Sequence, residues 1–564
     1  MVNQKTVLLC FVLLIVCHSR KPLNILVYSP VFGRSHSNFM GNIADALSEA
    51  GHNVTFLVPV ADPSRRHDVG QRLTENVIIV EKGRTSQADS QNVDMDEVLK
   101  PLWLTRNTPA DFETVGYFDA LGIEKTILAS STTHYEGVVR NAGEPVDMSY
   151  VPVHGAYFDE KMDIVQRYTN WAAAHVMAGN LEKMFDEEMK SYRSFLGANV
   201  AHWRDLIPAA SLMFTNSNPY LDFPRPVLQK TVAIGGISVN MEEIKSAQLP
   251  ENVSALLDER QYNMLISFGS MVKSSTMPEQ WRDSIFAATQ QFPNVTFIWK
   301  YESDDLEWAA AAENIHFLKW MPQAALLNEK RVNAFLTHGG LASTNELAYL
   351  GKPAIMVPVF GDQGRNAPML ARHGAALVLH KYDLEKTTVV ANMIQKIIFD
   401  RSYSQKAVEL AALLNAAPFK PKELVVKHTE FVATFGPLPL MDPYIRQLNW
   451  FQRTFTDIFI LMFVFYSTIL IIAILALRKL CRFIAFWAQG LIEKEKFPDP
   501  LILEPISAIV HEEFLSILVK ASGFMFEPND ELIIDFMKQA DGSFKFSQGS
   551  ILTCRYDTTA ELYK

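Results

Sequence analysis

The sequence predicts an α/β protein with two Rossmann-like, parallel-sheet halves and one membrane-spanning helix towards its C-terminus. Three observations carry that expectation. Short apolar runs bounded by glycine, proline or asparagine alternate with helix-period segments through most of the chain, the pattern of strand–helix–strand units. Glycine-bearing turns close several of these runs, where open parallel sheets hold their ligands. The run Ile458 to Leu477 is continuously apolar, and about twenty such residues suffice to cross the hydrocarbon layer.

Composition narrows the function classes. The net charge of −10 and pI near 5.8 leave no basic footprint for nucleic acid. Cys10 and Cys17 lie in an N-terminal leader, and Cys481 and Cys554 lie beyond the apolar run, so the main body has no cysteine. It has neither a CxxC metal site nor a thiol nucleophile, and a large packed core must supply its stability.

The leader comes first. Lys5 followed by the apolar run Val7 to Val16 reads as a secretory signal peptide, residues 1–19, with cleavage after Ser19. Residues 20–245 form the first half. Leu23 to Ser29 and Asn53 to Val58 read as strands, joined by a helix with Phe39, Ile43, Ala46 and Leu47 on one face. His36 stands near that helix's N-terminus, where a histidine is as often a plain surface residue as a functional one. Lys125 to Ser131 reads as a strand, His134 after it as a packed or capping residue, Trp171 to Leu196 as a surface helix, and Met213 to Asn218 as a strand ending in a turn. Asp94-Met95-Asp96 matches a metal-binding DxD, but no strand precedes it, so solvated charge is the better reading. Ile234 to Asn252 reads as the linker.

The second half, 246–440, is the more informative. Asn263 to Phe268 is a buried-strand run ending at Gly269-Ser270, with a helix from Pro278 to Phe292. Strands follow at Val295 to Lys300 and Ile315 to Leu318. Asn333 to Thr337 is another, ending at His338-Gly339-Gly340; a helix pattern then runs until Gly351, and Ala354 to Phe360 is the next strand. A glycine turn backed by a helix N-terminus suits a diphosphate, because unpaired N–H groups and the helix dipole both favour an anion. Asp362-Gln363 should reach the same rim, Glu346 can accept from ribose hydroxyls, and Trp320 offers a flat face for a base. Ala376 to His380 is a last strand, and helices occupy Leu384 to about Thr434.

Trp320, Gln323, His338, Ser343, Glu346, Asp362 and Gln363 together resemble the signature of the UDP-glycosyltransferase superfamily, animal type. The resemblance covers roughly Leu23 to Leu480 and implies the GT-B architecture, with acceptor bound by the first half and UDP-sugar by the second. By resemblance, Trp320 and Gln323 hold uracil, Ser270 and the His338 to Gly340 turn face the phosphates, Glu346 takes the ribose, and Asp362-Gln363 grip the sugar. Ala342 departs from the Asn of many members. His36 matches the family's general base, and a neutral imidazole is suited to that task. The base's carboxylate partner is not where the family carries it. Counting back from Ile123 places Thr108 there, with Asp111 or Glu113 nearby, and Asp111 is taken as the partner.

Arg478, Lys479 and Arg482 after the apolar run place the C-terminal side in the cytosol. That gives a transmembrane helix at 456–479, a cytosolic tail at 480–564 and catalytic domains in the lumen of the endoplasmic reticulum. The tail is longer than the family's; Leu515, Leu518 and Val519 have helical spacing, and Phe544 to Cys554 alternates loosely like a hairpin. Sequons fall at Asn53, Asn252 and Asn294, with Asn252 in a polar loop. The expected activity is inverting, metal-independent transfer of a hexose or hexuronic acid from a UDP-sugar to a small lipophilic acceptor. A catalytically silent UDP-sugar binder is the alternative. The expected partners are donor, acceptor and membrane, not nucleic acid, with homo-oligomerisation left open.

Overall fold

The computed structural model describes residues 21–31, 33–60, 66–81, 115–310 and 312–494, together with 537–538 and 544–545. The signal peptide, Asp94 to Asp96, Thr108, Asp111, Glu113 and the pattern around Leu515 lie outside these residues. The chain divides into two compact units between Arg453 and Thr454.

The first unit opens with β1 (Asn24–Tyr28), α1 (Arg34–Glu49), β2 (Asn53–Pro59) and β3 (Asn76–Val80), whose strands form one parallel sheet. Val54, Phe56 and Val58 alternate inward along β2 and meet Phe39, Ile43 and Leu47 of α1, so period 2 and period 3.6 interlock. A second three-stranded parallel sheet is built from β4 (Ile127–Ser130), β5 (Leu212–Thr215) and β6 (Thr231–Ala233). Between β4 and β5 runs α2 (Ile164–Leu196), started by a capping box in which Asp163 and Gln166 satisfy each other's backbone N–H. That cap moves its start seven residues ahead of the Trp171 that periodicity indicates. His134 packs inside, buried against Glu144.

Six parallel strands form the second half. They are β7 (Tyr262–Ser267), β8 (Val295–Lys300), β9 (Ile315–Leu318), β10 (Val332–Thr337), β11 (Ala354–Met356) and β12 (Ala376–Val378), in the order β12-β11-β10-β7-β8-β9. Helices cover both faces, which is why these strands read as unbroken apolar runs. The run expected as a strand from Ala354 to Phe360 pairs only as far as Met356. Val357 N–H still reaches Thr337 O (2.8 Å), but Pro358 has no N–H to continue the ladder.

Helices α3 (Gln323–Asn328), α4 (Leu341–Leu350) and α5 (Gln363–Ala371) follow β9, β10 and β11. Gly351 ends α4 in the left-handed conformation (φ 67°), as its position predicts. A late helix, α6 (Pro421–Phe435), crosses back to the first half. Its Val425 is buried in the Phe39 and Ile43 cluster, and Lys125 Nζ donates to Ala433 O at 2.6 Å.

In the second unit, α7 (Thr456–Lys494) is a 39-residue helix, of which Thr456–Gly490 is long and apolar enough to cross a membrane. It continues beyond residue 479, since nothing in the basic cluster breaks a helix. In the tail Met537–Lys538 pairs antiparallel with Phe544–Lys545, while residues 546–554 of the expected hairpin lie outside the described residues. The intervening sequence holds Asp541-Gly542, a pair favoured between hairpin arms. Asn252 lies on the short helix Glu251–Leu256 and not in a loop; it, Asn53 and Asn294 are all exposed.

Candidate active site

Adjacent strands bring two glycine turns together. Thr337 of β10 sits opposite Ser267 of β7, so the segments that follow them emerge side by side. Gly269 (φ 93°) and Gly339 (φ 82°) are both in the region that favours glycine. A Cβ on Gly269 would stand 2.5 Å from the Cε1 of His338, and one on Gly340 would stand 2.6 Å from its Nε2. The imidazole is thus sandwiched between glycines at the N-terminus of α4, and Ser270 is exposed on the facing turn.

Lys300, the last residue of β8, completes this rim, and sequence reasoning overlooked it. Its Nζ donates to Gly269 O (2.8 Å) and Glu302 Oε1 (2.9 Å). The available signal was its place at the carboxyl end of the strand beside β7. Burial pushes the His338 imidazole down to about 4, and Lys300 acts in the same direction, so this ring is neutral near pH 7.

A second cluster joins α3 and α4. Gln323 Nε2 donates to Ser343 Oγ (2.9 Å) and to Glu346 Oε2 (2.6 Å), while Trp320 just upstream is 61% exposed. Burial raises the Glu346 carboxyl to about 7, the bond from Gln323 pulling the other way. Gln323 therefore holds Ser343 and Glu346 as much as it faces outward.

Asp362 and Gln363 begin α5. Asp362 accepts from Asn366 Nδ2 (2.8 Å), which also donates to Gly339 O (3.1 Å) and so ties this helix to the His338 turn. Gln363 is buried, and its Oε1 accepts from the N–H groups of Val359 (2.8 Å) and Phe360 (3.1 Å). Its carbonyl oxygen thus shapes the loop, and its amide nitrogen is the end able to donate to a ligand.

His36 lies in the first turn of α1 and contacts Ser131 Oγ through Nδ1. Ser131 follows β4, and sequence reasoning reached it only as the end of a strand. Burial lowers the His36 pKa, and the carboxylate of Asp362 opposes that shift, which puts these two residues of different halves within electrostatic reach. Met271, next to Ser270, also approaches: its Sδ stands 3.3 Å from where a Cβ on Gly33 would be. Beside His36 lies a cavity of about 650 Å³ with Met40, Phe118, Ile123 and Phe214 in its apolar wall. The structure thus brings His36 within electrostatic reach of Asp362, and Ser270 towards His338 and Gly340, with Ser343 and Glu346 on the same α4 helix and Gln323 of α3 bonded to both. Asp111 lies outside the described residues.

A family model described as "UDP-glucoronosyl and UDP-glucosyl transferase" matches residues 119–494. UDP-glycosyltransferase UGT5 of Dactylopius coccus is 27% identical over 516 residues, covering 84% of this chain and 96% of that protein. UDP-glucuronosyltransferase 1A1 of Mus musculus is also 27% identical, over 351 residues, covering 62% and 64%. Among solved structures, a UDP-glucosyltransferase from Polygonum tinctorium capable of glucosylating indoxyl superposes with a TM-score of 0.51 at 17% identity, over 74% of this chain and all of that one. That likeness speaks for the fold alone, which is GT-B.

Proposed function

The chain belongs to the UDP-glucuronosyl and UDP-glucosyl transferase family and is a glycosyltransferase, and from that premise we propose a mechanism for its own residues. The observation that carries it is the place of His36, which lines the apolar cavity at the turn where Met271, next to Ser270 of the second half, approaches Gly33. In this reading the apolar cavity admits a small lipophilic acceptor. With Nδ1 engaged by Ser131, Nε2 of the neutral imidazole takes the acceptor's proton as its oxygen attacks the anomeric carbon. The carbon–oxygen bond to UDP breaks on the opposite face, inverting the centre. Ser270, the Gly339-Gly340 turn, the α4 N-terminus and Lys300 take up the charge on the departing diphosphate. Asp362 and the amide nitrogen of Gln363 bind sugar hydroxyls, Glu346 the ribose, and Trp320 and Gln323 the base. The scheme calls for no metal.

The proposal extends to placement. A leader removed at Ser19 and a basic cluster after the apolar helix support a single-pass protein with lumenal catalytic halves in the endoplasmic reticulum.

A second reading rests on Ser131. A hydroxyl on His36 Nδ1 stabilises an imidazolium less than a carboxylate does, which favours a UDP-sugar binder without turnover. Incubating the full chain with UDP-glucose or UDP-glucuronate and a panel of phenols decides between them. Turnover that disappears in His36→Ala with UDP binding intact is expected; saturable UDP binding with no turnover in the unaltered chain would establish the binder.

A further inference from the structure

Arg365 is a charged side chain with no exposed surface, one turn into α5 from Asp362. None of its polar partners belongs to a ligand rim. Its Nη2 meets Asp222 Oδ1 (2.6 Å), its Nη1 donates to Thr133 Oγ1 (3.0 Å), and its Nε donates to Pro152 O (3.1 Å). These three partners lie in the first half; the remaining contact of Nη1, to Met369 Sδ (3.9 Å), stays within α5. Arg225 takes the other oxygen of Asp222 at 2.5 Å. Burial alone would raise the Asp222 carboxyl, yet the two guanidinium groups hold it at about 2, so the buried charges are compensated.

Both ends of this connection touch the site. Thr133 stands two residues from Ser131, the hydroxyl on His36. On the other side Asn366, the next residue of α5, joins Asp362 to Gly339. The backbone beside Arg365 is equally close: a Cβ on Gly364 would stand 2.7 Å from Ala156 O. A parallel strut leads to the same loop, since Asn345 of α4 donates to Asn216 Oδ1 (3.5 Å) and Asn216 donates to Ser131 O (2.9 Å).

Resting on the reading that His36 and Asp362 serve one substrate, we propose that Arg365 is a positioning residue. It fixes the distance between the loop that orients the base and the turn that holds the donor. A guanidinium suits this task because its planar fork reaches a carboxylate, a hydroxyl and a carbonyl at once; lysine presents one point charge. A base and a donor held on separate sheets need such a strut, since a misplacement of about 1 Å can cost about 100-fold in rate.

The test compares the full chain with Arg365→Met and Arg365→Lys, reading kcat, KM for the UDP-sugar, UDP affinity and backbone hydrogen exchange. Arg365→Met is expected to lower kcat by about 100-fold, with UDP affinity within about threefold. Exchange should speed up in 131–135 and 338–341 but not in β7 and β8. Arg365→Lys should recover part of kcat. Unchanged kcat with unchanged exchange would overturn the proposal, as would kcat, UDP affinity and thermal stability all falling together. If Arg365→Met does not fold, Thr133→Val removes one of the three bonds without stranding a charge, and the same pattern at smaller size is expected. A wild-type chain that binds UDP but turns nothing over would defeat the catalytic reading, while the exchange data would still decide the role of Arg365.

Discussion

Gly269 and His338 are packed so closely that a methyl group on the glycine would overlap the imidazole, 2.5 Å from its Cε1. Their strands are neighbours in the sheet, and the positive φ of Gly269 lets its turn fold against the ring. Gly269→Ala would combine a left-handed strain with that overlap. We expect UDP affinity to fall by about tenfold or more, with a loss of about 1–2 kcal/mol in stability, checked by calorimetric titration and thermal melting.

Ser131 tests what orients His36, the proposed base. Removing its hydroxyl in Ser131→Ala should lower kcat by about tenfold while UDP affinity holds, because orientation of the base is only part of its contribution. Ser131→Asp offers His36 a carboxylate and should move the acid limb of kcat to higher pH. An unchanged pH profile in that variant would separate Ser131 from the base's titration.

The Glu346 carboxyl, raised to about 7 by burial, gives a pH dependence with a definite sign. Its folded pKa lies above the unfolded value, so its contribution to stability is complete below pH 4.5 and lost as pH rises through 7. Ribose hydroxyls donate best to the ionised form, so UDP binding should release a proton and tighten by about tenfold from pH 6 to 8. Glu346→Gln should flatten both trends, as read by titrations in buffers of different ionisation enthalpy.

Core packing beneath the glycine turns that follow β7 and β10 can be tested separately. Leu336 on β10 is fully buried one position before Thr337. Leu336→Ala should cost about 2–5 kcal/mol, lowering the melting temperature. UDP added at saturating concentration should restore part of it, because binding favours the folded state.

The second half was the legible part of this sequence. Its strands are covered on both faces, so they appear as apolar runs, and Val295–Lys300, Ile315–Leu318 and the helix Leu341–Leu350 fall where the residues alone place them. Gly351 and the glycines after β7 and β10 punctuate those runs for steric reasons a sequence displays directly. His36, Ser270, Trp320, Gln323, His338, Asp362 and Gln363 could be singled out as candidates because they sit near strand ends or helix starts, whereas Ser343 and Glu346 lie within α4.

What only the tertiary structure decided involves residues distant in the chain. Lys300 bonds Gly269, Ser131 meets His36 across 95 positions, and Arg365 meets Asp222 across 143. The return of α6 to pack on α1 is of the same kind. Periodicity and turn chemistry are local, so they fix elements and their ends. Which side chains share a hydrogen bond depends on sheet order and on how the halves close, and no local pattern encodes that.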